Sequence, residues 1–308
     1  MRAITYAKYG ENDVLQLTED HPDPKVGPGE VLIRVRSASV NPVDWKIMQG
    51  HLDPLMNVEF PVIPGWDVAG VVEAVGLDTP EFAPGDEVIA YARKDWVELG
   101  TFAELVSAPV RTVAHKPTTL DWDQAAGLPL AGLTAYQLLT RLGVGKGDTV
   151  LVHAAAGGVG ALAVQIARAL GARVIGTASA SNHDFLRALG AEPVEYAGDL
   201  AGRVRELAPQ GVDVVVDFVG GVGDVTRAVL AEGGRHGSIA DASVAADCGL
   251  YAWVRPVASD LAALVDLVDR GDVTVPVAEV FPLERVADAF ALSQEGHARG
   301  KIAISVSR

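Results

Sequence analysis

The chain has 308 residues, of which 49% are hydrophobic and 21% are charged, a composition typical of a folded globular protein with room for two domains. It carries 25 lysine and arginine residues against 40 aspartate and glutamate residues, and the formal charge of −15 argues against nonspecific binding to nucleic acid or to an anionic membrane. The single cysteine, Cys248, excludes an intrachain disulfide bond and any metal site built from several cysteines.

The N-terminal part of the sequence predicts a β-rich domain. The first residues, MRAITYAKYG, lack the basic and apolar segments of a signal peptide and predict a first strand, so we expect a cytoplasmic protein. Short β-type runs separated by glycine and proline turns follow at Val31–Val35, Val68–Val75, Glu87–Ala90 and Phe102–Val106. These runs predict a barrel or another all-β unit.

From Asp121 onward the sequence becomes rich in alanine and leucine, and after Asp148 strands and helices alternate. The predicted strands are Thr149–His153, Arg173–Thr177, Pro193–Tyr196, Val212–Asp217 and Gly234–Ile239, and the predicted helices are Gly160–Leu170, Ser181–Leu189, Asp199–Leu207 and Asp224–Leu230. This alternation predicts a parallel sheet with helices on both faces. Beyond Ser259 the sequence predicts a helix, a short strand at Val273–Val277, a second helix and a final strand at Lys301–Val306, which we expect to return to the first domain.

A glycine-rich segment, HAAAGGVG at 153–160, joins a predicted strand to a predicted helix. Gly157 and Gly158 would let the backbone approach a pyrophosphate, and Gly160 would let the helix pack closely on the strand. The segment could also be a turn without a ligand, but the flanking strand, helix and further βα units favour a dinucleotide site. The candidate cofactor contacts here are Ala156, Gly157, Gly158 and Val159.

The residues after the next strand bear on the choice of cofactor. Proteins that bind NAD usually carry an acidic residue about 20 positions beyond the glycine motif, where it accepts hydrogen bonds from the ribose. Here that position is Thr177, and the stretch TASASNH at 177–183 contains no acid. Ser179, Ser181 and Asn182 could instead donate hydrogen bonds to a 2′-phosphate, so the sequence favours NADPH. Both serines also suit the simpler role of a helix cap.

Several motifs, in this order, are similar to those of one family. They are NPVDWK at 41–46, PGWDVAGVV at 64–72, PGDEV at 84–88, GLTA at 132–135, AAAGGVG at 154–160 and GKI at 300–302. Together they resemble the medium-chain dehydrogenase/reductase superfamily and, within it, the zinc-independent quinone oxidoreductases and alkenal/enone reductases. The resemblance implies an α/β protein with a GroES-like β-barrel catalytic domain at 1–118 and 259–308, and a Rossmann domain with a doubly wound parallel sheet at 119–258.

The resemblance also implies a reaction. Zinc-containing relatives hold the metal with a cysteine near the NPVD motif and with a Gly-His-Glu motif, where this chain has Asn41 and Gly65-Trp66-Asp67. We therefore expect no metal, and an NADPH-dependent hydride transfer to a quinone or an α,β-unsaturated carbonyl compound. The alternatives are a non-catalytic NADPH-binding protein of the crystallin or scaffold type, and an enoyl-thioester reductase.

The resemblance assigns candidate catalytic residues to the NPVDWK motif. Asn41 and Lys46 are the candidate hydrogen-bond donors to the acceptor oxygen, and Asp44 shapes their loop. Trp45 and Trp66 are the candidate aromatic residues of the substrate pocket, because the tyrosine that many relatives carry after this motif is missing. Each residue also has a structural alternative: Asn41 suits a turn, Asp44 an ion pair, and Lys46 a solvated surface.

Further cofactor contacts are carried over from the family at Thr134, Tyr196, Val219, Ile239 and Lys301. Many relatives have an arginine at the position of Ser181, so this chain lacks one expected partner of the 2′-phosphate. Tyr196, on the adenosine side, could compensate. The resemblance further implies a homodimer, in which edge strands of two Rossmann sheets pair.

Overall fold

The structure is a computed structural model and describes residues 1–307. The chain forms two compact units. The first comprises Met1–Leu133, Pro256–Asp269 and the residues from Val275 onward, and the second comprises Thr134–Arg255 and Arg270–Thr274. The predicted domain boundaries lie after residue 118 and before residue 259, whereas the first unit extends to Leu133 and resumes at Pro256.

Strands dominate the N-terminal part of the first unit. Its elements are β1 (Ala3–Thr5), β2 (Gln16–Thr18), β3 (Glu30–Val40), α1 (Pro42–Met48), β4 (Val58–Ile63), β5 (Asp67–Val75), β6 (Glu87–Tyr91), β7 (Val97–Leu99), β8 (Leu105–Pro109), β9 (Val113–His115) and α2 (Trp122–Ala126). Helix α3 (Pro129–Arg141) follows and crosses the boundary at Leu133.

Strands and helices alternate in the second unit, and the chain then returns to the first. The second unit contains β10 (Thr149–Val152), α4 (Gly158–Ala169), β11 (Arg173–Ala178), α5 (His183–Leu189), β12 (Glu192–Glu195), α6 (Leu200–Leu207), β13 (Val212–Asp217), α7 (Gly223–Val229), β14 (Leu230–Ser238) and β15 (Leu250–Tyr251). The C-terminal elements of the first unit are α8 (Ala258–Asp269), β16 (Val277–Pro282), α9 (Val286–Glu295) and β17 (Lys301–Ser305).

The main sheet of the first unit has the strand order β16-β17-β3-β5-β6-β9, and β8 also pairs with β3. Strand β17 is antiparallel to β3, with Ile302 opposite Val40. Alternate residues of a strand point to the same face, and Val31, Ile33 and Val35 of β3 therefore enter one apolar core. This core contains residues of β5, β6 and β8 as well.

The sheet of the second unit is parallel and has the strand order β12-β11-β10-β13-β14-β15. This is the doubly wound order, and it confirms the predicted α/β fold with a Rossmann sheet. The apolar runs at 150–152 in β10 and 214–216 in β13 are buried, as strands covered on both faces require. Several predicted bounds shift: α5 begins at His183 after a 3-10 turn at Ala180–Asn182, β14 begins at Leu230 instead of Gly234, and Tyr196 follows β12 instead of ending it.

Helix α2 belongs to the first unit because it packs on β3, β5 and β17. The backbone N–H of Leu130, in the first turn of α3, donates a hydrogen bond of 2.8 Å to Asp67 Oδ1 at the start of β5. A carboxylate at this position satisfies one of the N–H groups that a helix leaves unpaired at its N-terminus. These contacts place 119–133 with the first unit.

The short segment Arg270–Thr274 is tied to the second unit by Gln165 of α4. The side-chain amide of Gln165 donates to Thr274 O and accepts from Thr274 N, both at 2.9 Å. The predicted strand at Val273–Val277 consequently starts later, and β16 begins at Val277. Within residues 1–307, no helix is both long and apolar enough to cross a membrane.

Candidate functional site

In the second unit, the glycine-rich turn connects β10 to α4. Ala154 adopts a left-handed conformation with φ of 53°, and its N–H donates to Thr177 Oγ1 at 3.1 Å. Ala155 N donates to Thr177 O at 3.0 Å, and Gly157 N donates to Ala154 O at 3.1 Å. The turn is therefore anchored to β11 before the helix begins.

Two glycines of the turn have different roles. A Cβ on Gly160 would lie 2.2 Å from Ala154 O and 2.7 Å from Ala155 Cα, so no side chain fits there. A Cβ on Gly157 would meet only Ala154 O, at 3.4 Å, which is an ordinary contact. Gly160 thus allows the tight strand-to-helix connection, and Gly157 leaves the backbone in front of the helix accessible. Ala156 is buried, and Gly158 and Val159 are half-buried at the start of α4.

Thr177, a predicted cofactor contact, is buried at the end of β11. Its backbone carbonyl and its hydroxyl both accept from the turn, at Ala155 and Ala154 respectively. The structure thus gives Thr177 a positioning role under the turn, and a direct contact with a cofactor stays a prediction.

The hydroxyl-rich segment after β11 forms a small cluster. Ser179 Oγ and Ser181 Oγ are 3.0 Å apart, and Asn182 Nδ2 donates to Ser179 Oγ at 3.2 Å. The side chains of Ser179 and Asn182 do not cap the turn and helix that follow them. Tyr196 is 60% exposed beyond the end of β12. The structure thus brings the two serines and Asn182 together.

A buried carboxylate, Asp217 at the end of β13, organises the two loops that contain Val219 and Ile239. Asp217 Oδ1 accepts from the N–H groups of Val219 at 2.8 Å and Gly220 at 2.9 Å, and Asp217 Oδ2 accepts from Ser238 Oγ at 2.7 Å. Ser238 Oγ in turn accepts from Ala240 N and Asp241 N. Val219 is 58% exposed, Ile239 is half-buried and Thr134, on α3, is buried.

Sequence reasoning did not identify Asp217 or Ser238 as functional residues. The signal was present, because an aspartate follows the apolar run at 214–216, at the edge where parallel sheets bind ligands. His153, at the end of β10, is buried as well, and burial lowers its pKa to about 4 while Asp217 acts in the opposite direction. The imidazole is therefore neutral at pH 7.

In the first unit, the NPVD motif forms the N-terminus of α1. Asn41 is the N-cap residue; its N–H donates to Asp44 Oδ2 at 2.7 Å, and Asp44 N donates to Asn41 O at 2.9 Å. The i, i+3 spacing lets the Asp44 carboxyl group reach back to the N–H of the N-cap residue, as the third residue of a capping box does. Both side chains are buried.

Asn41 also belongs to a buried polar network, which we define as the side chains of Ser39, Asn41, Asp44, Asp67 and Lys301. Asn41 Nδ2 and Ser39 Oγ each donate to Asp67 Oδ2 at 2.8 Å. Lys301 Nζ donates to Asn41 Oδ1 at 2.6 Å and to Val40 O at 3.0 Å, and it lies 3.8 Å from Asp67 Oδ2. Burial raises the pKa of Asp67 and lowers that of Lys301, while their mutual attraction opposes both shifts.

The other predicted residues of this motif lie outside the network. Lys46 is exposed, with its ammonium 5.4 Å from the centre of the neighbouring Trp45 ring. Trp45 Nε1 donates to Ser293 Oγ at 3.1 Å. Lys301 donates hydrogen bonds from its ammonium to Val40 and Asn41, and its predicted contact with a cofactor stays a prediction. Sequence reasoning missed Ser39 and the role of Asp67, although a carboxylate at the start of the buried strand DVAGVV is unusual.

A narrow cavity adjoins the network in the first unit. Its lining includes Tyr6, Asp44, Ile47, Ile63, Trp66 and Trp96. Trp66 is buried and meets the Tyr91 ring edge-to-face at 5.9 Å between centroids. The structure thus brings Trp66 and Asp44 to one cavity. Over the described part of the chain, no group of three or more histidine, cysteine, aspartate or glutamate side chains is placed to hold a metal ion.

Comparisons with known proteins complete this description. Residues 27–118 match the alcohol dehydrogenase GroES-like domain, and residues 189–304 match a domain described as zinc-binding dehydrogenase. The chain is 35% identical over 314 residues to the NADPH-dependent alkenal/one oxidoreductase of Arabidopsis thaliana chloroplasts, covering 99% of this chain and 79% of the relative.

Two solved structures share the fold over the full chain. The structure of a quinone oxidoreductase from Coxiella burnetii is 35% identical, with a TM-score of 0.85 and coverage of 100% of this chain and 99% of the other. The structure of a protein described as an NAD-dependent alcohol dehydrogenase is 34% identical, with a TM-score of 0.89 and full coverage of both chains. The names of these relatives refer either to a nicotinamide cofactor or to quinones.

Proposed function

Because the chain belongs to the medium-chain dehydrogenase/reductase superfamily of oxidoreductases, we propose that it reduces quinones or α,β-unsaturated carbonyl compounds with NADPH and without a catalytic metal. Membership of the family supports an oxidoreductase that uses a nicotinamide cofactor. The acceptor class, the choice of NADPH and the absence of a metal are the parts that we propose.

The observation that carries the proposal is the buried polar network. In zinc-containing relatives, the positions of Asn41 and of Gly65-Trp66-Asp67 supply metal ligands. In this chain Asn41 and Asp67 bond to each other, and the Lys301 ammonium lies 2.6 Å from Asn41 Oδ1 and 3.8 Å from Asp67 Oδ2. A fixed positive charge next to these oxygens would repel a divalent cation. These side chains therefore favour an acceptor that is electrophilic on its own, without a metal ion to polarise it.

The second unit fits a dinucleotide. The turn before α4 leaves no room for a Cβ on Gly160 and keeps the backbone of Gly157 accessible, which is the arrangement that a pyrophosphate needs at a helix N-terminus. When bound, a reduced nicotinamide supplies a hydride. The loops held by Asp217 and Ser238 and the hydroxyl cluster after β11 would then orient the rest of the dinucleotide.

The residues after β11 support NADPH over NADH. Ser179, Ser181 and Asn182 place hydroxyl and amide groups in one cluster, and the stretch 177–183 contains no carboxylate that would repel a 2′-phosphate. Hydrogen bonds to a charged acceptor contribute about 1.5–3 kcal/mol each. The proposed preference for NADPH is moderate, because none of these donors is an arginine.

We also propose a cytoplasmic homodimer. Strand β15 lies at the edge of the parallel sheet, and an edge strand can pair with a strand of a second copy. Tyr251 and Trp253, at and just beyond this edge, are 42% and 40% exposed. Light scattering tests the assembly, and a mass of 32.2 kDa, that of one chain, would contradict it.

The deciding experiment measures cofactor oxidation with a panel of quinones, enones, enoyl thioesters and simple alcohols plus oxidised cofactor. Each acceptor is tested with NADPH and NADH, before and after chelation of metals. We expect turnover of quinones or enones with NADPH that chelation leaves unchanged. Turnover restricted to alcohols or thioesters, or activity that requires added zinc, would contradict the proposal.

A further inference from the structure

Asp44 has one carboxyl oxygen, Oδ1, that is buried and has no hydrogen-bond partner among residues 1–307. We propose that Asp44 holds a proton on this oxygen and delivers it, through a water molecule in the adjoining cavity, to the oxygen of the acceptor after hydride transfer. This inference rests on the proposed function, because only a reaction that completes a hydride transfer needs this proton.

The charges of the buried polar network require one neutral carboxyl group. The network contains the carboxyl groups of Asp44 and Asp67 and the ammonium of Lys301, which are 2%, 0% and 4% exposed respectively. Two ionised carboxylates against one ammonium would leave one uncompensated negative charge away from water. Since an isolated buried charge is strongly unfavourable and the group takes up a proton instead, one of the two aspartates is protonated.

The hydrogen bonds show which aspartate carries the proton. Asp67 accepts from Leu130 N on Oδ1 and from Asn41 and Ser39 on Oδ2, and it faces Lys301. Donors therefore surround both of its oxygens, and they stabilise the ionised form. Asp44 accepts only from Asn41 N, on Oδ2. The proton belongs on Asp44 Oδ1.

The cavity next to Asp44 has room for a single water. The cavity volume is about 10 Å³, which is close to the smallest volume that holds one water molecule. A second buried group without a partner among the described residues, the Tyr6 hydroxyl, lines the same cavity. A water there would accept a hydrogen bond from the Asp44 O–H group and would form a second hydrogen bond with Tyr6 Oη. Trp66, which the resemblance predicts in the substrate pocket, lines the same cavity, and the lining extends to Trp96, which is 54% exposed.

The titratable groups around Asp44 favour its neutral form. Burial raises the pKa of Asp44 to about 8; the Asn41 N–H and Lys301 lower it, and Asp67 raises it further. The neighbouring Tyr6 and Tyr91 hydroxyls are neutral at pH 7, and burial raises the pKa of both further above the ordinary value of 10.0. Lys94 and Glu98 also line the cavity; Lys94 donates to Ser107 Oγ at 2.9 Å, and burial lowers its pKa.

The proposed step balances atoms and charge. The hydride brings two electrons to the conjugated acceptor and leaves a negative charge on its oxygen. The O–H bond of Asp44 breaks, its electron pair stays on Oδ1, and the proton passes through the water to the acceptor oxygen to form a hydroquinone or an enol. Asp44 then regains a proton from solvent through the same cavity.

The protonated state can be tested without cofactor. Infrared spectra of the isolated protein at pH 7 should contain the carbonyl band of a protonated carboxylic acid, and this band should shift when the protein carries isotopically labelled aspartate. The band should be lost as the pH rises through about 8. It should be absent in Asp44→Asn and retained in Asp20→Asn, a matched change at an exposed aspartate. A wild-type spectrum without the band at pH 7 would overturn the proposal.

The delivery of the proton is tested by turnover. Asp44→Asn keeps the shape and the oxygen that accepts from Asn41, so its kcat with a quinone or enone should fall about 10²–10⁴-fold, the usual contribution of proton transfer, with little change in the KM for NADPH. The decline of wild-type kcat above about pH 8 should disappear in the variant. Tyr6→Phe, which removes the second partner of the water, should reduce kcat and shift the infrared band. If Asp44→Asn does not fold, this second variant and the wild-type titration still decide.

The remaining outcomes distinguish a failure of proton delivery from a failure of the proposed function. An unchanged kcat and pH profile in a folded Asp44→Asn enzyme would overturn the delivery of the proton, even with the infrared band present. Absence of wild-type turnover with every quinone and enone would overturn both the proposed function and proton delivery, while the band would still report a protonated Asp44.

Discussion

Asp217 and Ser238 share a hydrogen bond of 2.7 Å at the carboxyl ends of two neighbouring parallel strands. Through this pair, the loop after β13 and the loop after β14 are held by a single buried carboxylate and a single hydroxyl. Neither side chain needs to touch a ligand to influence its binding, because both determine where the backbone of the two loops lies.

The first prediction concerns this pair. Ser238→Ala removes a donor to Asp217 and leaves the N–H groups of Ala240 and Asp241 without their acceptor. We expect the free energy of unfolding to fall by about 1–3 kcal/mol, and the affinity for NADPH to fall severalfold because both loops shift. Urea denaturation and titration calorimetry measure the two effects. The exposed Ser259→Ala on α8 is the control, and equal NADPH affinity in a folded Ser238→Ala protein would contradict the prediction.

The second prediction separates the two glycines of the turn. Gly160→Ala places a Cβ 2.2 Å from a backbone oxygen, so the turn must move, and we expect a loss of about 1–3 kcal/mol in stability together with weaker NADPH binding. Gly157→Ala places its Cβ in ordinary contact at 3.4 Å and should leave stability nearly unchanged. The melting temperatures of both variants, with and without NADPH, measure their stability and their binding of the cofactor. Equal stability of the two variants would mean that the turn adapts.

The third prediction concerns acid sensitivity. The pKa of His153 is lowered to about 4 in the folded protein, so between pH 6.5 and pH 4 the unfolded state binds the additional proton and stability falls as the pH falls. One pKa unit corresponds to about 1.4 kcal/mol, and we expect His153 to cost about 2 kcal/mol at pH 5 relative to pH 7. The free energy of unfolding, measured with urea, should differ less between the two pH values in His153→Gln than in the wild type. An equal difference in both proteins would contradict this origin.

The fourth prediction concerns Lys301. Lys301→Met leaves Asp67 and Asn41 Oδ1 buried without the ammonium, and breaking a buried ion pair in this way typically costs about 3–5 kcal/mol. We expect a large fall in melting temperature, measured by circular dichroism. Lys8→Met, at an exposed lysine, is the matched control and should change stability little. A small effect of Lys301→Met would mean that Asp67 becomes protonated at little cost.

The fifth prediction concerns cofactor choice. Wild-type kcat/KM should be higher with NADPH than with NADH, and Ser181→Arg should raise the NADPH value further, by about tenfold, through one charge-assisted bond to the 2′-phosphate. The value with NADH should hardly change, since that cofactor lacks the phosphate. Steady-state kinetics with both cofactors measure the ratio. Equal efficiencies in the wild type would show that the cluster of Ser179, Ser181 and Asn182 does not contact the phosphate.

Features that depend on neighbouring residues were predictable from the sequence. The βα alternation of the second unit and the turn at 153–160 follow from local apolar runs and glycine spacing, and the structure has both. Asn41 and Asp44 could be connected from their spacing alone. The position of α2 could not, because its alanine-rich sequence resembles a helix of either unit, and its packing on β3, β5 and β17 decides.

Features that join distant parts of the chain were not predictable. The network brings together residues 41, 67 and 301, and only the pairing of β17 with β3 places Lys301 beside Asn41. The resemblance gives Lys301 as a cofactor contact, and motif position alone carries no information about the buried carboxylate and amide that its side chain meets.

The place of β17 in the main sheet affects how the chain folds during its synthesis. The strand fits between β16 and β3, so residues 37–40 of β3 lack a partner on that side until residues 301–305 have left the ribosome. Until then Asp67 also lacks its ammonium partner. The main sheet therefore cannot be completed before residues 301–305 are available, and we expect this edge of β3 to stay open to pairing with other strands until then.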